Sequence, residues 1–307
     1  MDDQQSLPLY GLSRHQAGDP QGGGHVNGFT YHEPTTWPAA QDLIAREPDA
    51  TVLAGGTAFT LLLRQGLIRP TTVVSLRRIS GANRILADSH GGLWIGAMAT
   101  HSTVVRSPEV RRNWPEFADA AATVATLRIR NQATIGGSVA HADPASDVPV
   151  MLAALDAQVI VRKPNAAPRV PIDQLFIDTF TTSLAPGEFI ESIQIAGRGP
   201  NTRAVYLKYT PRSVDDYATV SVAARAEVEE GRLRAPRIFL GAVGGRPMRA
   251  MSVEAALGDG TEARAFADAA ALVRSDIDPI DDVRGSAEYK REMARVFVER
   301  ALRTLVA

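Results

Sequence analysis

None of the 307 residues is a cysteine, which removes disulfides, thiolate nucleophiles, iron-sulfur clusters and cysteine-ligated zinc from this chain in one step. Any such centre must sit on another chain. Charge of one sign is also lacking: 33 Lys+Arg against 34 Asp+Glu leave a formal net charge of −1. That is too weak a field to draw a polyanion, and it argues against nucleic acid or an anionic membrane as partner. Apolar runs are short, and none approaches the roughly 18 residues of a membrane-spanning segment. The N-terminal MDDQQSLPLYGLSRHQAGDPQGGG has no apolar stretch of the secretory kind, so a cytoplasmic protein is expected. Several motifs are missing as well. Without G-x-G-x-x-G or G-x-x-x-x-G-K-S/T, a Rossmann dinucleotide fold and a P-loop are disfavoured, and without G-x-S-x-G or H-E-x-x-H, hydrolase and zincin chemistry has no support.

What is present is an ordinary globular composition. Hydrophobic residues make up 45% and charged residues 22%, and the length suits two or three compact units. Residues 1–25 are rich in Gln, Gly, Pro and Asp and read as a mobile extension. From Phe29 the pattern tightens. Thr36 is placed to cap a helix with Pro38 in its first turn, Thr51–Leu53 reads as a short strand, Phe59–Gln65 as a helix stopped by Gly66, and Thr72–Leu76 as the next strand. Further strands are expected at Leu93–Ile95, Gln158–Val161 and Phe189–Ile195, with helices at Trp114–Leu127 and Val148–Leu155. From Val220 to Val228, apolar residues alternate with partners that include Ser221, Arg225 and Glu227. This predicts a half-buried strand that turns at Glu230-Gly231 into Leu233–Ala242. Gly241-Ala242-Val243-Gly244-Gly245 reads as the turn into C-terminal helices over Thr261–Ser275 and Ser286–Leu305.

Two glycine pairs are the strongest chemical signal. A strand bending through Gly55-Gly56 into a helix can present consecutive main-chain N–H groups to an anion, and Thr57 adds a hydroxyl. Thr134 and Ser138 flank a second pair, Gly136-Gly137, expected to repeat that chemistry. Either bend alone is explained by a tight connection; together they suit the two phosphates of a dinucleotide bridge. His101 and His141 are not spaced as a metal pair.

The strings VLAGGT (Val52 to Thr57) and IRNQATIGGSVAHADPASDVPVMLAALDA (Ile129 to Ala157) closely resemble the FAD-binding medium subunit of molybdenum hydroxylases of the carbon monoxide dehydrogenase and xanthine dehydrogenase type. TTSLAPGEFI (Thr181 to Ile190), YLKYTPRSVDDYATVSVAA (Tyr206 to Ala224) and LGAVGGRPMRA (Leu240 to Ala250) extend the likeness in order to the C-terminus. The resemblance implies an α+β protein with a p-cresol methylhydroxylase-like FAD-binding fold. Its parts would be FAD-binding subdomains at 26–84 and 85–200 and a C-terminal antiparallel sheet with a helical bundle at 201–307. It further implies non-covalent FAD, with the diphosphate held by Leu53, Ala54, Gly55, Gly56, Thr57 and Ala58 on one side and by Thr134, Gly137 and Ser138 on the other. Asp147 would contact the ribose and adenine end while doubling as a helix N-cap, Ile190 would pack on the ring system, and Lys208 would lie nearest the flavin, with Asp215 and Asp216 beside it. His101 and His141 are the formal candidates for a covalent flavin, a chemistry the resembling subunits do not use.

The same resemblance implies partners: a large molybdenum-pterin subunit and a small subunit with [2Fe-2S] clusters, as a dimer of heterotrimers. FAD here would pass electrons to NAD, oxygen, a quinone or another acceptor. The family branch with an extra cluster on this subunit is excluded by the missing cysteines. This chain also departs from the family in having Thr179-Phe180 where many members place a Tyr near the flavin. Two other readings stay open: a free-standing flavin oxidoreductase of the same superfamily, and a flavin-free assembly subunit.

Overall fold

A computed structural model describes residues 28–47, 49–258 and 260–307; the extension expected at 1–25 lies outside them. The first unit is a parallel three-stranded sheet in which Thr72–Ser75 runs between Thr30–His32 and Ala50–Leu53. Parallel neighbours need long crossovers, and helices Trp37–Arg46 and Thr57–Arg64 supply them. Thr36 caps the first of these, its hydroxyl accepting from the Ala39 N–H at 3.3 Å.

The second unit is built on an antiparallel five-stranded sheet. Its order is Ile85–Ala87, Leu93–Gly96, Phe189–Ile195, Gln158–Arg162 and Arg169–Pro171. The helix expected over Trp114–Leu127 is shorter, Pro115–Ala122. It breaks before Ala125, which has a left-handed φ of 38°, and Thr126 then caps a separate helix, Leu127–Arg130. Helices His101–Arg106 and Pro108–Asn113 went unseen in the sequence because each is too short to show a period. The second glycine pair is likewise inside a helix, Ile135–His141, where a bend between helices was expected. Helix Asp147–Ala154 follows, with all eight residues buried.

The third unit is an antiparallel four-stranded sheet of Thr202–Tyr209, Val220–Glu229, Arg232–Gly241 and Met248–Arg249. Its hairpin turns at Glu230 and Gly231, with φ of 51° and 73°, the pair of positive values that matches the twist of the flanking strands. Helices Met251–Leu257, Phe266–Ala271 and Ala287–Val306 cover one face, the middle one flanked by 3₁₀ turns at both ends of the expected Thr261–Ser275 helix. The other face is covered too. Val222, Ala224 and Leu240 join Phe266, Phe297 and Leu302 in one core, whereas Ala223 and Phe239 join Val150 and Leu152 in another. The strand expected to be half-buried is therefore buried on both sides between Val220 and Ala224, because helix Asp147–Ala154 packs on the face that alternation alone leaves to solvent. The large side chains so enclosed, such as Phe239 against Val150 and Leu152, contribute about 1.5–3 kcal/mol each, so this contact ties the second unit to the C-terminal sheet.

Candidate functional site

The two glycine segments touch. Gly55 lies so close to the Gln132–Ala133 backbone that a β-carbon on it would stand 2.0 Å from the Gln132 carbonyl oxygen. A β-carbon on Gly137 would meet Ala54 Cβ at 3.4 Å. Close approach of two backbones thus explains glycine at 55, and Gly56, with φ of 79°, makes the left-handed bend that sends strand Ala50–Leu53 into helix Thr57–Arg64.

The main-chain donors of the two segments are in opposite states. In helix Thr57–Arg64 the first backbone bond runs from the Thr60 N–H to the Gly56 carbonyl at 2.9 Å, and Gly56 has no side chain to cap the turn. The N–H groups of Thr57, Ala58 and Phe59 consequently have no acceptor among the described residues. In helix Ile135–His141 the Ile135 and Gly136 N–H groups donate to the Ala99 and Ala97 carbonyls, both at 2.9 Å. The Gly137 N–H donates to Thr134 Oγ1 at 3.1 Å and the Ser138 N–H to the Thr134 carbonyl at 2.9 Å. The second segment does not repeat the chemistry of the first: its amides are engaged, and what it can offer an anion is the hydroxyl of Ser138 and that of Thr134.

Asp147 is the first residue of its helix and not the N-cap, a position Ser146 takes. Its carboxylate is buried, accepting from the Tyr206 hydroxyl at 2.5 Å through Oδ1 and from Lys208 Nζ at 3.0 Å through Oδ2. The two side chains of this ion pair are 7% and 6% exposed. Lys208 Nζ also donates to the Thr123 carbonyl at 2.9 Å, which leaves one of its three protons free. Burial pushes the Asp147 carboxyl above the ordinary carboxylate value while Lys208 and Tyr206 pull it back by favouring the anion. Burial, with Asp147 adding to it, raises the Tyr206 phenol well above its usual range, so the phenol stays a donor. Asp147 and Lys208, expected at the adenine and flavin ends respectively, are thus joined directly to each other.

The remaining expected residues fall apart from this cluster. Asp215 is exposed on the loop between Tyr209 and Val220 and its side chain makes no hydrogen bond among the described residues, while Asp216 pairs with Arg212 at 3.6 Å in the same turn. Ile190 is 4% exposed inside the core of the five-stranded sheet, where packing accounts for it. Leu53 is buried at its strand end and Ala54 and Ala58 are half-buried beside the first bend. Phe180 is 58% exposed with a left-handed φ of 54°, its ring 4.9 Å from that of His141. Two partnerships were missed in the sequence. Tyr206 and Lys208 are two apart on a strand and so share a face, a signal that was available. The contact of His101 Nε2 with Ser138 Oγ, at 2.9 Å, spans 37 positions and left none.

Amides at a helix start, a serine hydroxyl and a lysine proton are all donors, the set that suits an acceptor-rich diphosphate. Among the described residues no group of His, Asp or Glu is arranged to hold a metal ion, and no helix is long and apolar enough to cross a membrane.

Residues 27–196 match the family described as "FAD binding domain in molybdopterin dehydrogenase", and residues 205–305 match "CO dehydrogenase flavoprotein C-terminal domain". The 6-hydroxypseudooxynicotine dehydrogenase complex subunit alpha of Paenarthrobacter nicotinovorans is 33% identical over 83% of this chain and 86% of its own length. The nicotine 6-hydroxylase medium subunit of the same organism is 32% identical over 89% and 95%. Among solved structures, carbon monoxide dehydrogenase from Hydrogenophaga pseudoflava superposes with a TM-score of 0.86 at 32% identity, covering 90% of this chain and 96% of that one.

Proposed function

The chain belongs to the family of FAD-binding medium subunits of molybdenum hydroxylases, and from that premise we propose that it is the electron-transferring flavoprotein of a heterotrimer. Electrons would arrive from [2Fe-2S] clusters on a small partner subunit. They would leave to an external acceptor, after oxidation of a substrate at the molybdenum-pterin centre of a large partner subunit. A dimer of such heterotrimers is the assembly proposed. Relatives whose names specify a complex subunit, a medium subunit and a medium chain support the division of labour. Cysteine-free composition fits it, since this chain has no thiolate to hold a cluster.

The observation that carries the reading is the uncapped start of helix Thr57–Arg64, led into by an Ala54-Gly55 bend that lies against Gly137 and Gln132. Thr57, Ala58 and Phe59 would hold one flank of the diphosphate through main-chain N–H groups, assisted by the helix dipole. Ser138 and Thr134 would hold the other through hydroxyls. Lys208 would direct its remaining proton to the ligand while Asp147 and Tyr206 keep it in place. When bound, FAD supplies a redox group that accepts and releases electrons, a capacity no side chain here provides. Residues 26–84 and 85–200 would hold it, and 201–307 would cover it.

The test is affinity purification of the tagged chain from its native host. Flavin absorbance in stoichiometric amount together with two co-purifying chains carrying molybdenum and iron is expected. Full flavin content with no partner would replace this reading by a free-standing oxidoreductase, and partners without flavin would replace it by an assembly subunit.

A further inference from the structure

His101 opens helix His101–Arg106 beneath the second glycine segment, its N–H donating to the Ala133 carbonyl at 3.1 Å and its side chain 1% exposed. Nε2 lies 2.9 Å from Ser138 Oγ, and Nδ1 has no hydrogen-bond partner among the described residues. A buried N–H without an acceptor is rarer and costlier in folded proteins than a bare lone pair. A proton on Nδ1 would create the former, and a proton on Nε2 creates only the latter. Burial, with Arg130 contributing, lowers the imidazole to about 4, so near pH 7 the ring is neutral and carries a single N–H.

We propose that His101 is a positioning residue for the diphosphate: it keeps its proton on Nε2, donates to Ser138 Oγ, and so leaves the Ser138 hydroxyl hydrogen for a phosphate oxygen. This rests on the reading that Ser138 faces the diphosphate. Phosphate oxygens are acceptors only. In the opposite tautomer Ser138 would give its proton to His101 and turn lone pairs toward an anion, which repels it. Because the amides of Ile135, Gly136, Gly137 and Ser138 are all engaged, the second segment has only its hydroxyls to offer a phosphate, and this proton decides whether Ser138 attracts it or repels it.

Two measurements on the full-length apoprotein test it. Nitrogen-15 NMR of labelled His101 should show the Nε2–H tautomer; the Nδ1–H tautomer would overturn the proposal. Calorimetric titration with ADP and with adenosine should then show His101→Met weakening ADP about tenfold, as expected for one hydrogen bond to a charged group, with adenosine unchanged. His101→Gln, which restores a donor near Nε2, should recover most of the loss. Ser138→Ala should weaken ADP by a similar factor and make a further His101→Met change silent. If Ser138→Ala weakens ADP but His101→Met does not, the positioning role fails and the site reading survives. If Ser138→Ala has no effect on ADP, the site reading itself fails. Should the Met variant not fold, the NMR spectrum of the unmutated chain and the Gln variant decide.

Discussion

Two segments of this chain share a Gly-Gly pair followed by a hydroxyl residue, at Gly55-Gly56-Thr57 and Gly136-Gly137-Ser138, yet they use their backbones in opposite ways. At the first, glycine makes a left-handed bend and leaves a helix start whose amides have no acceptor among the described residues. At the second, the carbonyls of Ala97 and Ala99, in the turn after strand Leu93–Gly96, take the amides, and glycine serves close packing, since a β-carbon on Gly136 would stand 2.5 Å from Ala97 Cβ. The lesson is that a glycine pair reports room for a backbone approach, and only the acceptors around it decide whether the approaching group is a ligand or the protein itself.

The sharpest way to break this contrast is Gly55→Val. Its β-carbon would meet the Gln132 carbonyl at 2.0 Å, separating the two segments and destabilising the fold by about 3 kcal/mol or more. No flavin should remain on the purified chain; retained flavin absorbance with an unchanged melting temperature would disprove the juxtaposition. Lys208→Met acts on the buried ion pair with Asp147. It strips the buried Asp147 carboxylate of its cation, and about 3 kcal/mol of stability should be lost in urea titrations, with Lys208→Met/Asp147→Asn recovering part of it. Full additivity of the two changes would mean the pair does not interact.

A pH titration probes the second glycine segment more gently, through His101 on Ser138. His101 is held near 4 in the folded chain against 6.5 when unfolded. The unfolded chain therefore binds the proton more readily between those values. Stability is fully present above about pH 6.5 and falls as pH drops through the window toward 4, by up to roughly 3 kcal/mol. His101→Gln should flatten this slope, and an identical slope in both proteins would remove His101 as its source. The smallest contrast lies within the second pair. Gly136→Ala should cost about 1–3 kcal/mol through overpacking on Ala97 and leave flavin per folded molecule unchanged. Gly137→Ala, whose β-carbon would be 2.9 Å from Thr134 Oγ1, should perturb stability less and flavin affinity more. Equal effects of the two substitutions would erase the distinction drawn between them.

Much of the architecture was legible locally. The cap at Thr36, the strand Phe189–Ile195, the hairpin at Glu230-Gly231 and the helix begun by Ser286 each follow from residues within a turn of one another. Short helices and the 3₁₀ turns escaped because a single turn has no period to read. At the site, the first bend was legible from its own glycines, while the second was misread as its equal because Ala97 and Ala99 lie on another element. Position in a motif says nothing of surroundings: Asp215 is left in solvent and Ile190 is enclosed by apolar neighbours.

By itself the sequence determined the family, the absence of any cluster-binding thiolate, the longer strands and helices and the places where a backbone could come close. Tertiary structure alone decided which amides stay free, that the C-terminal sheet is covered on both faces, that Lys208 meets Asp147 across 61 positions and that His101 reaches Ser138 across 37. The reason is physical. Conformational preference is set by neighbours along the chain, whereas a donor's availability is set by whichever acceptor folding brings to it from elsewhere.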